Sequence, residues 1–517
     1  MGRILTWLIP RVDYLVVFFV LFVTGTAQHA GAYYSDTWWH LRLGEYIWQH
    51  GPPFYDMLSY TMAGQPFVDH QWLGEALFYG AYWVFGPLGV PLLGTLLSMA
   101  TAGILWAAIR KVNARQRITQ WILIPIICVY LFGFQYYLRP AIFGEVLLAA
   151  VIAILMLVYH GIWPTRRLYW LPALFVLWAN LHLTWTVGLL IVGACGVGVV
   201  WESKGQRWVA VKRWGSVLAL CVGGLFLTPY TWQIPVMPIR GFLVGTGNLF
   251  RYIAEWQSPS FPPGNVGSWL VIATLLLPWV AFILGDRRPR ITEVLLVLIA
   301  EVPAFMATRF LLSYGLIFPL VIAPQIESVW SRFTRAYPPQ SYKSPLNLSS
   351  VVLLLEVLTI VLLPLGWSAV MVQKAGNWDW HAGLHDGTMP ADAGRYIQEN
   401  PAVLRGELLA PYEWGGFLTF WVRVPVYIDG RTDFYQGAFL ERYIDFAYLR
   451  QPWDPEEKEL VDRWNVGTIL WYQPSPLAEV LRLDPDWQLL WEDDTAVIFG
   501  RRNLLGSTAT SPPGDWP

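Results

Sequence analysis

Cysteine is scarce in this 517-residue chain: Cys128, Cys195 and Cys221 are the only three, and each lies in an apolar stretch. That excludes a disulfide framework and thiolate zinc spacing, and leaves any metal to oxygen or imidazole ligands. Charge is scarce too. Asp, Glu, Lys and Arg make up 14% against 55% apolar residues, where a soluble domain carries about a quarter charged. With a mean hydropathy of +0.41, the chain is expected to be solvated largely by lipid, which excludes most cytosolic enzyme classes. A net charge of −1 and a pI near 6.7 exclude nucleic acid as a partner, because phosphate tracking needs a concentrated positive excess. P-loop, dinucleotide, HExxH and GxSxG signatures are missing. So are internal repeats and the paired broken segments of a two-half transporter.

What is abundant is apolar length. Runs of about twenty apolar residues fall near 12–30, 87–109, 118–138, 141–160, 213–231, 267–285 and 349–371. The longer tracts 168–201 and 291–326 are interrupted, the first by Asn180, His182 and Thr184 and the second by Thr308 and Arg309. Splitting both predicts about eleven transmembrane helices, the half at 168–181 needing bilayer thinning or burial among its neighbours. The positive-inside rule agrees. With the N-terminus cytoplasmic, Arg110, Lys111, Arg166, Arg167, Lys204, Arg207, Lys212, Arg213, Arg287, Arg288 and Arg290 all fall in inner loops. An A-x-A sequence at 30–32 offers a cleaved leader as the alternative; retention of the first helix is expected. The 31 Trp and 25 Tyr suit membrane interfaces.

The reading therefore divides the chain into a membrane domain over 1–373, an extracytoplasmic α/β domain over 374–505 and a disordered tail over 506–517. The first outer loop, 31–86, should hold two Trp-rich helices along the outer membrane surface. Ser35 or Asp36 caps the first, Gly51-Pro52-Pro53 stops it, and Asp69 caps the second; 58–62 reads as extended. In the tail, helices are predicted at 392–400, 412–422, 437–449 and 455–464, with strands at 407–410, 424–428, 468–472, 487–491 and 496–499. Trp414-Gly415-Gly416 should let two backbones pack closely, and Asp429, Arg431 and Asp433 should form an ion-pair network fixing a turn.

Under this topology Asp36, His40, Asp56, Asp69, His70, Glu75, Arg139, His182, Glu255 and Arg309 collect on the outer face, and polar groups near lipid mark sites. Helix capping by Asp36, snorkelling by Arg139 and Arg309, and a loop-anchor role for Glu255 and Trp256 are the plain alternatives. The run Tyr34-Ser35-Asp36-Thr37-Trp38-Trp39-His40-Leu41 after the first span resembles the first-loop acidic motif of the GT-C superfamily, polytopic glycosyltransferases that use polyprenyl-phosphate-linked sugars. Asp69-His70-Gln71-Trp72-Leu73, Trp178-Ala179-Asn180-Leu181-His182, Tyr412-Glu413-Trp414-Gly415-Gly416 and Asp429-Gly430-Arg431-Thr432-Asp433 extend the likeness to bacterial members through most of the chain.

The resemblance implies a GT-C-like polytopic membrane fold in a bacterial plasma membrane, and a sugar transferred from a polyprenyl-phosphate donor to a glycan, lipid or protein acceptor on the outer face. Asp36 would be the base, or the carboxylate holding a divalent metal cation. Thr37 stands where many relatives carry a second acidic residue. Sugar transfer needs a base at the attacking hydroxyl and cations at the leaving phosphate; Arg139, Arg309 and His182 are available for the second task. Substrate contacts extend to His40, Asp69, His70, Glu255 and Trp256. Two other readings stay open: a non-catalytic scaffold of the same architecture binding a glycan or protein through its outer domain, and a lipid-linked glycan polymerase or ligase.

Overall fold

A computed structural model describes residues 35–113, 117–133, 138–240, 253–336, 378–379, 384–385, 389–435, 437–450 and 461–504. The expected spans at 12–30 and 349–371, the leader sequence at 30–32 and the tail at 506–517 lie outside the described residues.

The first loop forms helix α1 (Ser35–His50) and helix α2 (Trp72–Phe85). The helices that follow are α3 (Gly89–Val112), α4 (Arg117–Gly133), α5 (Ala141–Tyr159), α6 (Leu171–Leu181), α7 (Trp185–Glu202) and α8 (Arg207–Gly224). After the short α9 (Gln233–Arg240) come α10 (Val266–Leu284), α11 (Ile291–Met306) and α12 (Phe310–Ala336). Among the described residues, five stretches are long and apolar enough to cross a membrane: Trp72–Val112, Ala141–Tyr159, Trp185–Glu202, Gly267–Leu284 and Phe310–Arg335. Both long tracts break where the polar residues interrupt them, at His182 to Thr184 and at Ala307 to Arg309. The short α6 is packed against α8 and α5, with Phe175 and Trp178 fully enclosed.

The chain order gives this bundle two polar ends. Arg139 before α5, His182 between α6 and α7, and Arg309 between α11 and α12 share one end. At the other, Glu202 accepts hydrogen bonds from Tyr159 Oη at 3.0 Å and from Thr292 N and Oγ1 at 2.8 Å each, tying the far ends of α5 and α7 to the start of α11.

The loop helices depart from expectation in two respects. α1 is stopped by Gly51, whose φ of +83° makes the left-handed cap, its N–H reaching Ile47 O at 2.9 Å. α2, however, does not lie by itself along a surface: a 3₁₀ turn at Gly86–Leu88 carries it into α3, giving one 41-residue apolar stretch. Pro87 sits at the first turn of that 3₁₀ segment, where its missing N–H breaks nothing. Nor does Asp69 cap α2; it accepts from Gln71 N at 3.1 Å in the turn before, and Gln71 is the cap residue.

In the tail, α13 (Ala391–Glu399), α14 (Tyr412–Phe417), α15 (Ala438–Ala447) and α16 (Pro476–Leu483) flank a four-stranded sheet. Its strands are β1 (Glu407–Leu409), β2 (Val466–Tyr472), β3 (Trp487–Glu492) and β4 (Ala496–Arg501), in the order β1-β2-β4-β3. β1 runs parallel to β2, and the other pairs are antiparallel. α14 continues as a π turn to Val422. The predicted helix at 455–464 is described only at its end, 461–463, and α16 was not anticipated, because Pro476 masks its start although Ser475 caps it.

The predicted strand at 424–428 is not part of the sheet. Val426 instead bridges Ser59 of the first loop: Tyr60 N reaches Val426 O at 3.1 Å and Val426 N reaches Leu58 O at 3.2 Å. The two extended pieces thus satisfy each other's backbone. Trp414, Phe417, Leu418 and Val426 belong to the same apolar core as the bundle, while Tyr427, Tyr435, Val466 and Phe499 form a second core inside the tail.

Candidate active site

The site is assembled where α1, the start of α5, the 253–258 and 307–309 segments and the tail meet. Asp36 lies in the first turn of α1. Its Oδ2 is 2.8 Å from Arg139 Nη2, and its Oδ1 accepts from Trp39 Nε1 at 3.2 Å. Thr37 fixes this meeting by donating to Leu138 O at 2.9 Å, one residue before the arginine. Arg139 Nη1 reaches both oxygens of Glu255 at 3.2 Å, and Glu255 Oε1 lies 3.7 Å from Arg309 Nη1. Arg309 in turn stacks 4.1 Å over the Trp256 ring. Backbone pairing holds the two segments together, with Arg309 N on Glu255 O at 3.0 Å and Thr308 N on Gln257 O at 2.9 Å. The result is a row of alternating charge, Asp36, Arg139, Glu255, Arg309, whose arginines keep 28% and 30% of their side-chain surface open.

Burial pushes the Asp36 carboxyl above its usual range against the opposing pull of Arg139. Burial also raises Glu255, but there Arg139 and Arg309 win and hold it below its usual range. The two carboxyls of the row are thus shifted in opposite directions, Asp36 toward the protonated form and Glu255 toward the ionised one.

Beside it lies an enclosed second group. His40, one turn after Asp36 on α1, meets Glu75 through Nδ1 at 2.8 Å, and both are buried. Burial, with the field of Arg139 and His182, keeps His40 well below the usual imidazole range, so it is neutral near pH 7. Asp69 faces Glu75, and burial raises the Asp69 carboxyl; two carboxyls so placed share a proton rather than both ionise. The His70 and His182 rings stand 5.9 Å apart. The local sequence motifs dock on one another: Trp72 Nε1 donates to Asn180 Oδ1 at 3.0 Å, and Gly74 sits so close to Pro140 and Leu181 that a Cβ there would stand 2.7 Å from Pro140 Cβ.

The tail covers the carboxylate. A Cβ on Gly416 would lie 2.7 Å from Ser35 O, and one on Gly430 would lie 2.3 Å from Asp36 Oδ1. The Trp414-Gly415-Gly416 expectation is thus met in a specific way: Gly416 admits α1, and Gly415 admits the backbone of Ile428 and Asp429. The Asp429 to Asp433 expectation needs correction. Arg431, 1% exposed, is held by Asp429 Oδ2 at 2.6 Å and, from the first loop, by Asp56 Oδ1 at 2.7 Å, with Tyr435 Oη donating to Asp429 at 3.0 Å. Asp433 stays exposed outside that network and faces Arg309 electrostatically. The plain readings of Arg139 and Arg309 as snorkelling side chains, and of Glu255 and Trp256 as a loop anchor, are replaced by the charge row.

The expected site residues fall in these two groups, except Asp56, which pairs with Arg431. Sequence reasoning passed over Glu413, half-buried near Asp36 and hydrogen-bonded by Tyr472 Oη at 3.1 Å, and the role of Asp56 as the loop's half of the Arg431 lock. No three His, Cys, Asp or Glu among the described residues are grouped to hold a metal, and both Asp36 oxygens already meet an arginine or an indole. This donor set does not fit a divalent cation, so no step is routed through one.

No family model and no curated protein matches the sequence. Solved structures do. The chain is similar to an archaeal oligosaccharyltransferase, AglB from Archaeoglobus fulgidus, in complex with an inhibitory peptide and a dolichol-phosphate, at TM-score 0.58 and 10% identity over 90% of this chain and 70% of that one. The Archaeoglobus fulgidus enzyme tethered to an acceptor peptide gives TM-score 0.61 at 10% identity over the same shares. ArnT from Cupriavidus metallidurans bound to undecaprenyl phosphate gives 0.55 at 13% identity over 98% and 99%. The chain has the GT-C fold.

Proposed function

We propose that this protein is a membrane glycosyltransferase transferring a sugar from a polyprenyl-phosphate-linked donor to an acceptor hydroxyl at the face where Asp36 lies. The observation that carries the proposal is the row Asp36, Arg139, Glu255, Arg309, which sets a carboxylate raised by burial against one partly open guanidinium, with a second beyond Glu255. Asp36 removes the acceptor proton as the acceptor oxygen forms its bond to the anomeric carbon. The bond from that carbon to the phosphate oxygen breaks, and the lipid phosphate departs with the electron pair. Attack opposite the leaving group inverts the anomeric centre. Arg139 and Arg309 exchange Glu255 for the phosphate oxygens, a fork-to-oxyanion contact that strengthens as charge develops. The dolichol-phosphate and the undecaprenyl phosphate bound in two of the similar structures support this donor class. The tail from 374 is the extracytoplasmic unit, and the membrane is that of a bacterial cell.

The test is turnover of a radiolabelled polyprenyl-phosphate sugar by purified protein and by Asp36→Asn. Loss of turnover with lipid binding retained supports the base assignment. Equal turnover removes Asp36 from the mechanism, and glycan binding without any turnover in the parent protein favours a scaffold.

A further inference from the structure

A groove of about 410 Å³ lies between α7 and α8, far from the site just described. Val192, Gly193, Gly196 and Val197 form its α7 wall and Val211, Trp214 and Gly215 part of its α8 wall, with Trp201 and Arg207 at one end. Val192 is seven residues past the start of α7 at Trp185, which at the rise of an α-helix puts it about 10 Å along the bundle from the site's end. The groove is built by what its residues leave out. A Cβ at Gly193 or Gly215 would meet nothing within 4 Å, whereas Gly196 is closed by the Trp214 ring at 3.1 Å. Around it Leu190, Val197, Trp201 and Leu220 are each more than half exposed, as on a face turned to lipid.

The end marked by Arg207 is basic. Its guanidinium lies 5.8 Å over the Trp201 ring, and Lys204, Lys212 and Arg213 flank it in the α7 to α8 connection and the first turns of α8. The nearby carboxylate, Glu202, is turned away onto Thr292 and Tyr159. An apolar slot with a cationic, aromatic rim matches one occupant in shape and sign. We propose that this groove is a binding site for an anionic phospholipid, one acyl chain lying along Gly193 and Gly215 and the headgroup phosphate at Arg207.

The experiment is native mass spectrometry of the full chain in mild detergent, titrated with dioleoyl phosphatidylglycerol or dioleoyl phosphatidylcholine. The parent protein should retain phosphatidylglycerol in preference to phosphatidylcholine. Arg207→Gln, an exposed change, should weaken phosphatidylglycerol about fivefold and leave phosphatidylcholine unchanged. Gly193→Leu with Gly215→Leu, which fills open space, should abolish both. Equal retention of the two lipids by the parent, or unchanged retention in Arg207→Gln, would overturn the proposal. So would finding that polyprenyl phosphate competes with phosphatidylglycerol at equal concentration, which would make the groove a donor-tail channel. Should the double variant aggregate on size exclusion, the Arg207→Gln comparison decides alone.

Discussion

Replacing Gly430 by alanine perturbs the carboxylate without touching a charged residue. The added Cβ would stand 2.3 Å from Asp36 Oδ1 and 2.9 Å from Trp39 Nε1, whereas ordinary contact begins at 3.4 Å. Gly430 is not among the residues with positive φ, so alanine is not excluded by its backbone. Either the 429–431 turn lifts from α1 or the carboxylate retreats by roughly 1 Å, and a shift of that size costs about 100-fold in rate. The turn is pinned by the buried Arg431, so the carboxylate yields, and it loses its alignment on Arg139. Overpacking should cost only about 1–3 kcal/mol in stability. Turnover of labelled donor, measured beside thermal unfolding, should fall about 100-fold for Gly430→Ala and not at all for the control Gly103→Ala, whose Cβ meets nothing within 4 Å. The decisive comparison is the double variant. If Gly430 acts through Asp36, adding Gly430→Ala to Asp36→Asn costs nothing further. An undiminished additional loss in that background would refute the reasoning.

Other outcomes follow from the same geometry. Because Asp36 must be deprotonated to act, turnover should fall as pH drops through its raised pKa. Arg139→Gln removes the cation that opposes the rise, so the acid limb of the kcat/KM profile should move to higher pH; an unmoved limb would place the base elsewhere. Arg309→Gln should lower kcat/KM for the donor at least about tenfold, with part of the loss in kcat because the contact strengthens in the transition state, since a charge-assisted contact to phosphate is worth about 1.5–3 kcal/mol; an unchanged kcat/KM would remove Arg309 from the phosphate site. Arg431→Met leaves Asp429 and Asp56 buried without their cation and should destabilise the fold by about 3–5 kcal/mol, seen as a lowered unfolding midpoint.

How far the sequence speaks depends on the range of the interaction. Breaks in hydrophobic runs are local, and so the helix ends at His182 and Thr308 were legible, as was α1 with its glycine stop. Polar residues stranded beside lipid are few, which is why Asp36, Arg139, Glu255 and Arg309 could be singled out before any geometry. The pairing of Asp56 with Arg431 was not legible for the opposite reason. Asp56 and Arg431 are separated by most of the chain, and only the folded backbone shows that one loop carboxylate and one tail arginine share a core. The extended pieces 58–62 and 424–428 show the same limit: each has strand character, but periodicity does not name the partner, and they pair with each other rather than with the sheet.

That pairing bears on what the tail is for. A domain that merely hung from the membrane bundle would need no contact with the first loop. Here backbone bonds at Val426, the Thr61 Oγ1 to Tyr427 O bond, the Arg431 lock and the close glycines 416 and 430 all fall on the stretch between Ser35 and Thr61. The carboxylate is thus seated between two parts of the chain, with Arg139 fixing one oxygen and the 429–431 turn closing on the other. Its burial, and hence its basicity, depends on the tail being docked. Cutting the chain ahead of the tail should therefore leave an apolar bundle whose Asp36 is a solvated, weakly basic carboxylate, and adding the tail back in trans should restore activity only as far as it restores this contact.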